Sequence, residues 1–567
     1  MISKLRRDCF HSSPEPLESR IAPAAFLVTN LLDNGSAHTL RTEINAANSA
    51  AGAKHTITFA HNLRGTIELA SGALNITSNL TIKGPGGNQV IIDGGGNSRI
   101  FDIGTETVSI SGLAMIDGTV TGNGGAILSD GPLTISKCFI SGNTATTGNG
   151  GGIYDNTTGA FVLKGSLVSG NKASTTGTFR GGGAWVDAQL GITISGNEIS
   201  GNYASYSGGG LRLYEPSAGS GNIVISSSSI TGNRAAELTG GMAILDHSTG
   251  GGQVKVTGTA ITGNYAPSNC GGFYLLNHSN KPAVISSVII SNNVSGGSGG
   301  GFQDNSSEAV MVQNSHITGN SANTAAGVFS ESLHALTISK SIISDNKAVS
   351  GAGGVSATGG AFTLTGSLIS GNSAGTGNGG GLYIGNGSAS TRITGSTISA
   401  NTALAVGGGA DLIGDGAITV SSTKVTGNVV GNTSTSGAGA GLNIDSDSTS
   451  VLLTGDTIVG NSAFGSNAVG GGINITGNAT FSIISGSVEG NFSGYDGGGV
   501  YLAALPAGLI KNILIAGNEA NNAGGGVAHA DGASGVVHLP VPERLRVVGN
   551  VALLSGTANL AGDFTTP

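Results

Sequence analysis

Asp187, Glu215 and Asp246 each follow a glycine-rich run in three consecutive copies of a repeated phrase, with Trp185, Arg212, Tyr214 and His247 beside them. If successive copies stack as strands, carboxylates one copy apart sit about 5 Å from each other, and two copies apart about 10 Å. Those values bracket the separations used by retaining and inverting glycosidases, in which one carboxyl protonates the leaving oxygen while the other attacks or activates water. Asp187, Glu215, Asp246 and Arg212 are therefore the candidate catalytic residues. A second set is more systematic. Two residues after the glycine run stand Tyr154, Trp185, Tyr274, Phe329, Tyr383 and Tyr501, on what period-two alternation makes an outward face. Rings arrayed on a sheet can stack on sugar faces or pack against a partner. Metal chemistry is not indicated: the calcium nonapeptide, the EF-hand loop and HExxH are missing, and Asp445-Ser446-Asp447 reads as a solvated turn. No cofactor is expected. Cys9, Cys138 and Cys270 form no CxxC and suggest neither a disulfide framework nor a zinc site.

Composition says which elements must position these groups. Of 567 residues, 102 are Gly, well over twice the ordinary usage of about 7%. There is no G-X-Y period and only 12 Pro, which excludes collagen, and 38% hydrophobic residues argue against a disordered linker. Only 10% of residues are charged and 4% aromatic, so the core must be built from small and β-branched side chains. A net charge of −8 lacks the basic footprint of a nucleic-acid binder. No stretch is long and apolar enough for a membrane helix.

One phrase recurs down the chain, as in ITISGNEISGNYASYSGGGLRL from Ile192 to Leu213. Aligned on its second Asn, the copies fall at Asn123, Asn143, Asn171, Asn202, Asn233, Asn264, Asn293, Asn320, Asn346, Asn372, Asn401, Asn428, Asn461, Asn491, Asn518 and Asn550, with a mean period of about 29 from Asn143 onward. Three residues before each Asn is Ile or Val, a strand position facing a core. The residue just before it is Gly except at Asn292, Asp345 and Ala400, which points to a left-handed backbone turn. Two residues after it, from Asn143 onward, stands Ala in all but Ser295, Val430 and Ser493. Short strands, tight turns and this period predict an all-β solenoid of about 16 regular turns, each with about three strands stacked in parallel on those of the next. The Asn column then becomes a ladder whose amides hydrogen-bond from rung to rung.

Residues 26–120 carry the same chemistry irregularly, as an N-terminal cap and first turns leading into regular repeats at 121–550. Leu40, Ile44 and Ala47 predict a short amphipathic helix over Thr39 to Asn48 that covers the open first rung. Residues 1–25 read as a targeting or disordered segment and 551–567 as a tail. Pro540, Pro542 and the final Thr565-Thr566-Pro567 would discourage further strand addition.

The stretch from Thr66 to Ile103, with SNLTIKGPG and IIDGGGNSRIFDI, resembles right-handed parallel β-helix proteins of the pectin-lyase-like superfamily. The recurring GGG-I-Y and I-S-G-N units resemble the GGAI and FxxN repeats of polymorphic outer-membrane proteins, with Ile or Val in place of Phe. Pro14 to Ala24, PEPLESRIAPA, resembles the LEPR-XLL type of N-terminal motif. These resemblances imply a bacterial extracellular, cell-surface or outer-membrane protein. The expectation is an exported rod with a structural or adhesive role, binding polysaccharide or a surface protein and no nucleic acid; the alternative is a polysaccharide lyase or glycoside hydrolase.

Overall fold

A computed structural model describes residues 25–50, 54–86, 88–431, 437–447, 450–503, 507–530, 536–538, 545–553, 560–561 and 564–565. The expectations for residues 1–24, Cys9, Pro540, Pro542 and Pro567 lie outside these.

The chain winds as a parallel β-solenoid of about 18 turns. A mid-rod turn runs through Leu211–Glu215, Ile223–Ser226, Ser229–Thr231 and Arg234–Ala235. Each strand pairs in parallel with its equivalent in the next turn, Met242–Asp246, Val254–Thr257, Ala260–Thr262 and Tyr265–Ala266. Three sheets result. The strand after each glycine run builds what we call the glycine-edge sheet; the next two build the long sheet of 36 strands, and the last a narrow sheet of 16. Inward side chains such as Leu211, Leu213, Ile223, Ile225 and Ile230 are fully buried and join one core cluster that runs the length of the solenoid.

Turns carry four strands where about three were expected, because a second polar bend splits the long sheet. Ser166 Oγ accepts from Cys138 N at 3.1 Å, Ser228 Oγ from Asn197 N at 3.2 Å and Ser341 Oγ from Ser315 N at 3.1 Å. A short polar side chain thus satisfies a backbone N–H that the bend removes from the sheet. In two turns the bend closes up, and Ser450–Val459 and Thr480–Glu489 run as single strands.

The asparagine ladder is continuous from Asn143 to Asn550. Asn264 shows the pattern: its Nδ2 donates to Asn293 Oδ1 at 2.9 Å and to Ile230 O at 3.0 Å, while its backbone N also donates to Asn293 Oδ1. The same bonds link Asn143, Asn171, Asn202 and Asn233 below it. Above it they link Asn293, Asn320, Asn346 and Asn372. Every polar atom of the Asn264 amide is paired, so the column of buried amides carries no desolvation debt. Asn123 is not a rung. Gly118 N donates to Asn143 Oδ1 in its place, and Val120 pairs with Ala145 in the small-residue column while Met115 takes the core position opposite Ile140. Asn123 directly abuts Gly124-Gly125 and belongs to the loop before the glycine run, where its Oδ1 accepts from Asn149 N.

The residue before each ladder Asn is left-handed, as Gly201, Gly232 and Gly263 are at φ 62 to 63°, and so are the exceptions Asn292, Asp345 and Ala400 at 55, 57 and 54°. The first glycine of a run is left-handed as well, as Gly181 and Gly208 are at φ 69 and 66°, but the glycines after it have a different cause. A Cβ on Gly209 would lie 2.4 Å from Gly240 O, and one on Gly210 3.0 Å from the Asn233 amide. Adjacent turns approach there backbone to backbone.

The predicted cap is the helix Leu40–Ser49, with Thr39 and Thr42 forming a capping box and Leu40, Ile44 and Ala47 buried. It packs against Ala25–Val28, His55–Phe59 and Leu74–Ile76, the first strands of two sheets. Among the described residues no helix is long and apolar enough to cross a membrane.

Candidate functional site: the outward face of the glycine-edge sheet

The six candidate binding rings share one register position. Tyr154 pairs with Trp185, Trp185 with Arg212, Arg212 with Ala243, and Ala243 with Tyr274. The column continues through Gln303, Phe329, Ser356, Tyr383, Asp411, Asn443 and Asn474 to Tyr501. Strand alternation turns all of them away from the core. They are not freely exposed, however: five rings are half-buried and Phe329 is only 8% exposed. Loop residues that precede the glycine runs, such as Tyr206, Leu238 and Asn378, stand beside the column and make its face a groove there.

Two cavities open in this groove, each where a small residue interrupts the large ones. Over Ala243 and Leu245 lies a cavity of about 220 Å³ with Arg212 from the turn before and Tyr274 from the turn after as walls. Over Ser356 lies one of about 450 Å³ between Phe329 and Tyr383, with Glu331 and Thr358 at its floor and Asn378 on its rim. Each pair of walls stands two turns apart, about 9.6 Å along the solenoid.

The candidate catalytic residues do not gather on this face. Asp187 pairs with Tyr214 and points outward, whereas Glu215 pairs with Asp246 and both point into the solenoid, fully buried. One residue of offset along a strand moves a side chain to the opposite side of a sheet. Glu215 Oε1 accepts from Gly221 N at 2.7 Å and its Oε2 has no partner; Asp246 Oδ1 accepts from Ser248 N at 2.9 Å and its Oδ2 has none. Burial, and then the nearby Asp246, push the Glu215 carboxyl up to about 8, and burial raises Asp246 as well. At pH 7 Glu215 is a neutral acid inside the core. Asp187, half-buried on the groove side, is pushed by burial up to about 6. Among the described residues no group of His, Cys, Asp and Glu is arranged to hold a metal ion.

Several groove residues escape a search confined to positions after the glycine run. Arg180, Tyr206, Leu238 and Asn269 stand before it and enter the cavity over Ala243 from the rim. The Arg180 guanidinium lies over the Tyr206 ring, 4.7 Å from its centroid. His247 and His278 lie beyond Tyr214, with ring centroids 5.4 Å between Tyr214 and His247 and 5.1 Å between the histidines. Burial, His278 and the Arg212 charge all push His247 down, so its imidazole is neutral at pH 7. Cys138 and Cys270 are buried free thiols, pushed by burial up to about 11 and about 12. They are inert at neutral pH.

No family model matches the chain, and no curated protein matches it. Among solved structures, the AlgE6 A-module of the mannuronan C-5 epimerase of Azotobacter vinelandii is similar over 93% of this chain and 94% of that one, at 11% identity and a TM-score of 0.15. A likeness of that size carries no conclusion about this chain.

Proposed function

We propose that the chain is a non-catalytic, exported or cell-surface β-solenoid that binds polysaccharide along the outward face of its glycine-edge sheet. The observation that carries this reading is the recurrence of one arrangement, a small residue between larger walls, at Arg212–Ala243–Tyr274 and again at Phe329–Ser356–Tyr383. Walls about 9.6 Å apart leave room for a flat ring between them, and aromatic side chains supply an apolar face with polar edges nearby, which is what a pyranose presents in return. The face is preorganised because each ring is fixed by the register of a stacked sheet. Titrating the full chain with acidic and neutral polysaccharides, while assaying for reducing or unsaturated ends, tests the reading. Binding without product release supports it; absence of binding across the panel, or capture of a surface protein instead, contradicts it.

Export is part of the proposal and rests on the Pro14 to Ala24 motif. Removing residues 1–25 should leave the solenoid folded and keep the protein inside its native host on cell fractionation. Unchanged delivery would make the motif irrelevant to targeting.

The alternative, a polysaccharide lyase or glycoside hydrolase, rests on Asp187 alone of the three carboxylates. Its carboxyl, raised to about 6, faces the groove near Tyr214 and has the proton affinity of a general acid. A two-carboxylate hydrolysis would need a second acid on the same side, and Glu215 and Asp246 lie on the other.

A further inference from the structure

The cavity over Ala243 differs from the one over Ser356 in charge. Two guanidinium groups, Arg180 and Arg212, line it, and no carboxylate does. Among the described residues the ion pairs are His38–Glu43, Arg41–Asp33 and Arg99–Asp102; neither cavity arginine takes part. Arg212 Nε is buried without a hydrogen-bond partner. The charged or ionisable groups that act on Arg212 are Arg180 and the tyrosines 274, 214 and 206; burial and the Arg180 charge together pull the Arg212 guanidinium down to about 10. Holding a cation out of water beside another cation is expensive unless an anion arrives to share the site.

Resting on the polysaccharide reading, we propose that this cavity is the subsite for an anionic substituent of a bound saccharide, a planar carboxylate or a sulfate ester, gripped by Arg212 and Arg180. Ala243 makes the room, since any larger side chain at that register position would fill the gap between Arg212 and Tyr274. A guanidinium fork matches two oxygens of a carboxylate or sulfate. The Tyr206 and Tyr274 hydroxyls and Thr239, which line the same space, offer further donors to the oxygens. The Tyr206 ring under Arg180 fixes that guanidinium at the rim. The cavity over Ser356, lined by Glu331 and by no cation, suits a neutral sugar. It lies four turns further on, about 19 Å away, so one saccharide chain lying along the solenoid would place a charged unit at the first cavity and an uncharged one at the second.

Calorimetric titration of the full chain at low ionic strength tests the assignment with four probes: an oligogalacturonate, its carboxyl-reduced neutral counterpart, a sulfated form of that counterpart, and sodium sulfate alone. The intact protein should bind the oligogalacturonate, the sulfated form or both at least tenfold more tightly than the neutral one, the difference expected for charge-assisted hydrogen bonds, and which of the two acidic probes leads identifies the anion. Arg212→Gln and Arg180→Gln should each erase most of that preference. Ala243→Phe, which removes no charge but fills the cavity, should do the same in a chain that still unfolds in one cooperative transition, and it decides the matter if the arginine variants fold poorly. Equal binding of acidic and neutral probes, or a preference that survives Ala243→Phe, overturns the subsite. Its fate is separable from that of the groove. Neutral binding that Trp185→Ala weakens, without any acid preference, keeps the polysaccharide reading and removes the subsite. Sulfate binding lost in Ala243→Phe, with no oligosaccharide bound, keeps an anion site and removes the polysaccharide reading.

Discussion

Tyr154 and Trp185, in adjacent turns, stack with their ring centroids 4.5 Å apart and their planes within 5° of parallel. That separation is the rung spacing of a parallel sheet, so the backbone ladder itself sets the stacking distance and the rings need no adjustment to meet. The pair should be coupled: in a double-mutant cycle of Tyr154→Ala and Trp185→Ala, the double variant should lose about 0.5–1.5 kcal/mol less stability than the sum of the two single losses. Strict additivity in thermal or denaturant unfolding would show that the two rings do not support each other.

The amide ladder predicts a large and localised penalty. Asn264→Leu removes the acceptor of two donors from Asn233 and the donor to Ile230 O, leaving buried polar groups unpaired at a cost on the order of 3 kcal/mol. Asn97→Leu, at an exposed loop site where Nδ2 reaches only Gly95 O, should change stability by less than about 0.5 kcal/mol. Equal losses at the two positions would remove the ladder argument.

Ala400 holds the left-handed position that glycine occupies in most turns, at φ 54° with its methyl exposed. Ala400→Gly relieves that strain and should stabilise the chain by about 0.5–1 kcal/mol after the added freedom of the unfolded glycine is subtracted. The reverse change at Gly232, where a Cβ would meet nothing within 4 Å, should cost about 1 kcal/mol through backbone strain alone. Paired melting curves of both variants check the sign.

The buried acids set a pH dependence opposite to ordinary acid denaturation. Glu215 is raised from 4.5 to about 8 in the folded chain, so the folded state holds a proton that the unfolded state has released. Its contribution is fully present below about pH 4.5 and is lost progressively as pH rises to about 8, on the order of 4 kcal/mol. Melting temperature should therefore fall between pH 5 and 8. Glu215→Gln should flatten part of that slope, the remainder belonging to the other acids that burial raises, Asp155, Asp187, Asp246, Asp304, Asp411 and Asp456. A slope unchanged by the substitution would place the titration elsewhere.

The architecture was legible because its causes recur at a fixed period. The left-handed turn favours Gly, Asn or Asp, the ladder needs an amide of one length, and the column beside it favours Ala, so each leaves nearly the same letter every 29 residues or so. The second bend was not legible, since Ser166, Asn197, Ser228 and Asp456 do one job with three side-chain types, and Val288 interrupts the series. The fate of the carboxylates turned on parity. Asp187 stands two residues after its column residue Trp185, while Glu215 and Asp246 stand three after Arg212 and Ala243, and an odd step along a strand crosses the sheet. The cavity over Ala243 needed the structure, because Arg180 and Tyr206 precede the glycine run and reach the groove only through the course of the loop.

The most direct test of the account is the affinity of the full chain for whichever polysaccharide the panel identifies, measured for wild type and for Trp185→Ala, Tyr274→Ala and Tyr383→Ala, with Asp187→Asn alongside. These rings line one groove on one sheet, so each ring variant should weaken binding by roughly tenfold, in line with about 1–1.5 kcal/mol for a stacking face. The half-burial of the rings should bring a modest fall in melting temperature. Asp187→Asn should leave affinity unchanged, with no product released by any form. Ring variants that bind as wild type does, or product release that Asp187→Asn abolishes, would contradict a binding groove and put an active site in its place.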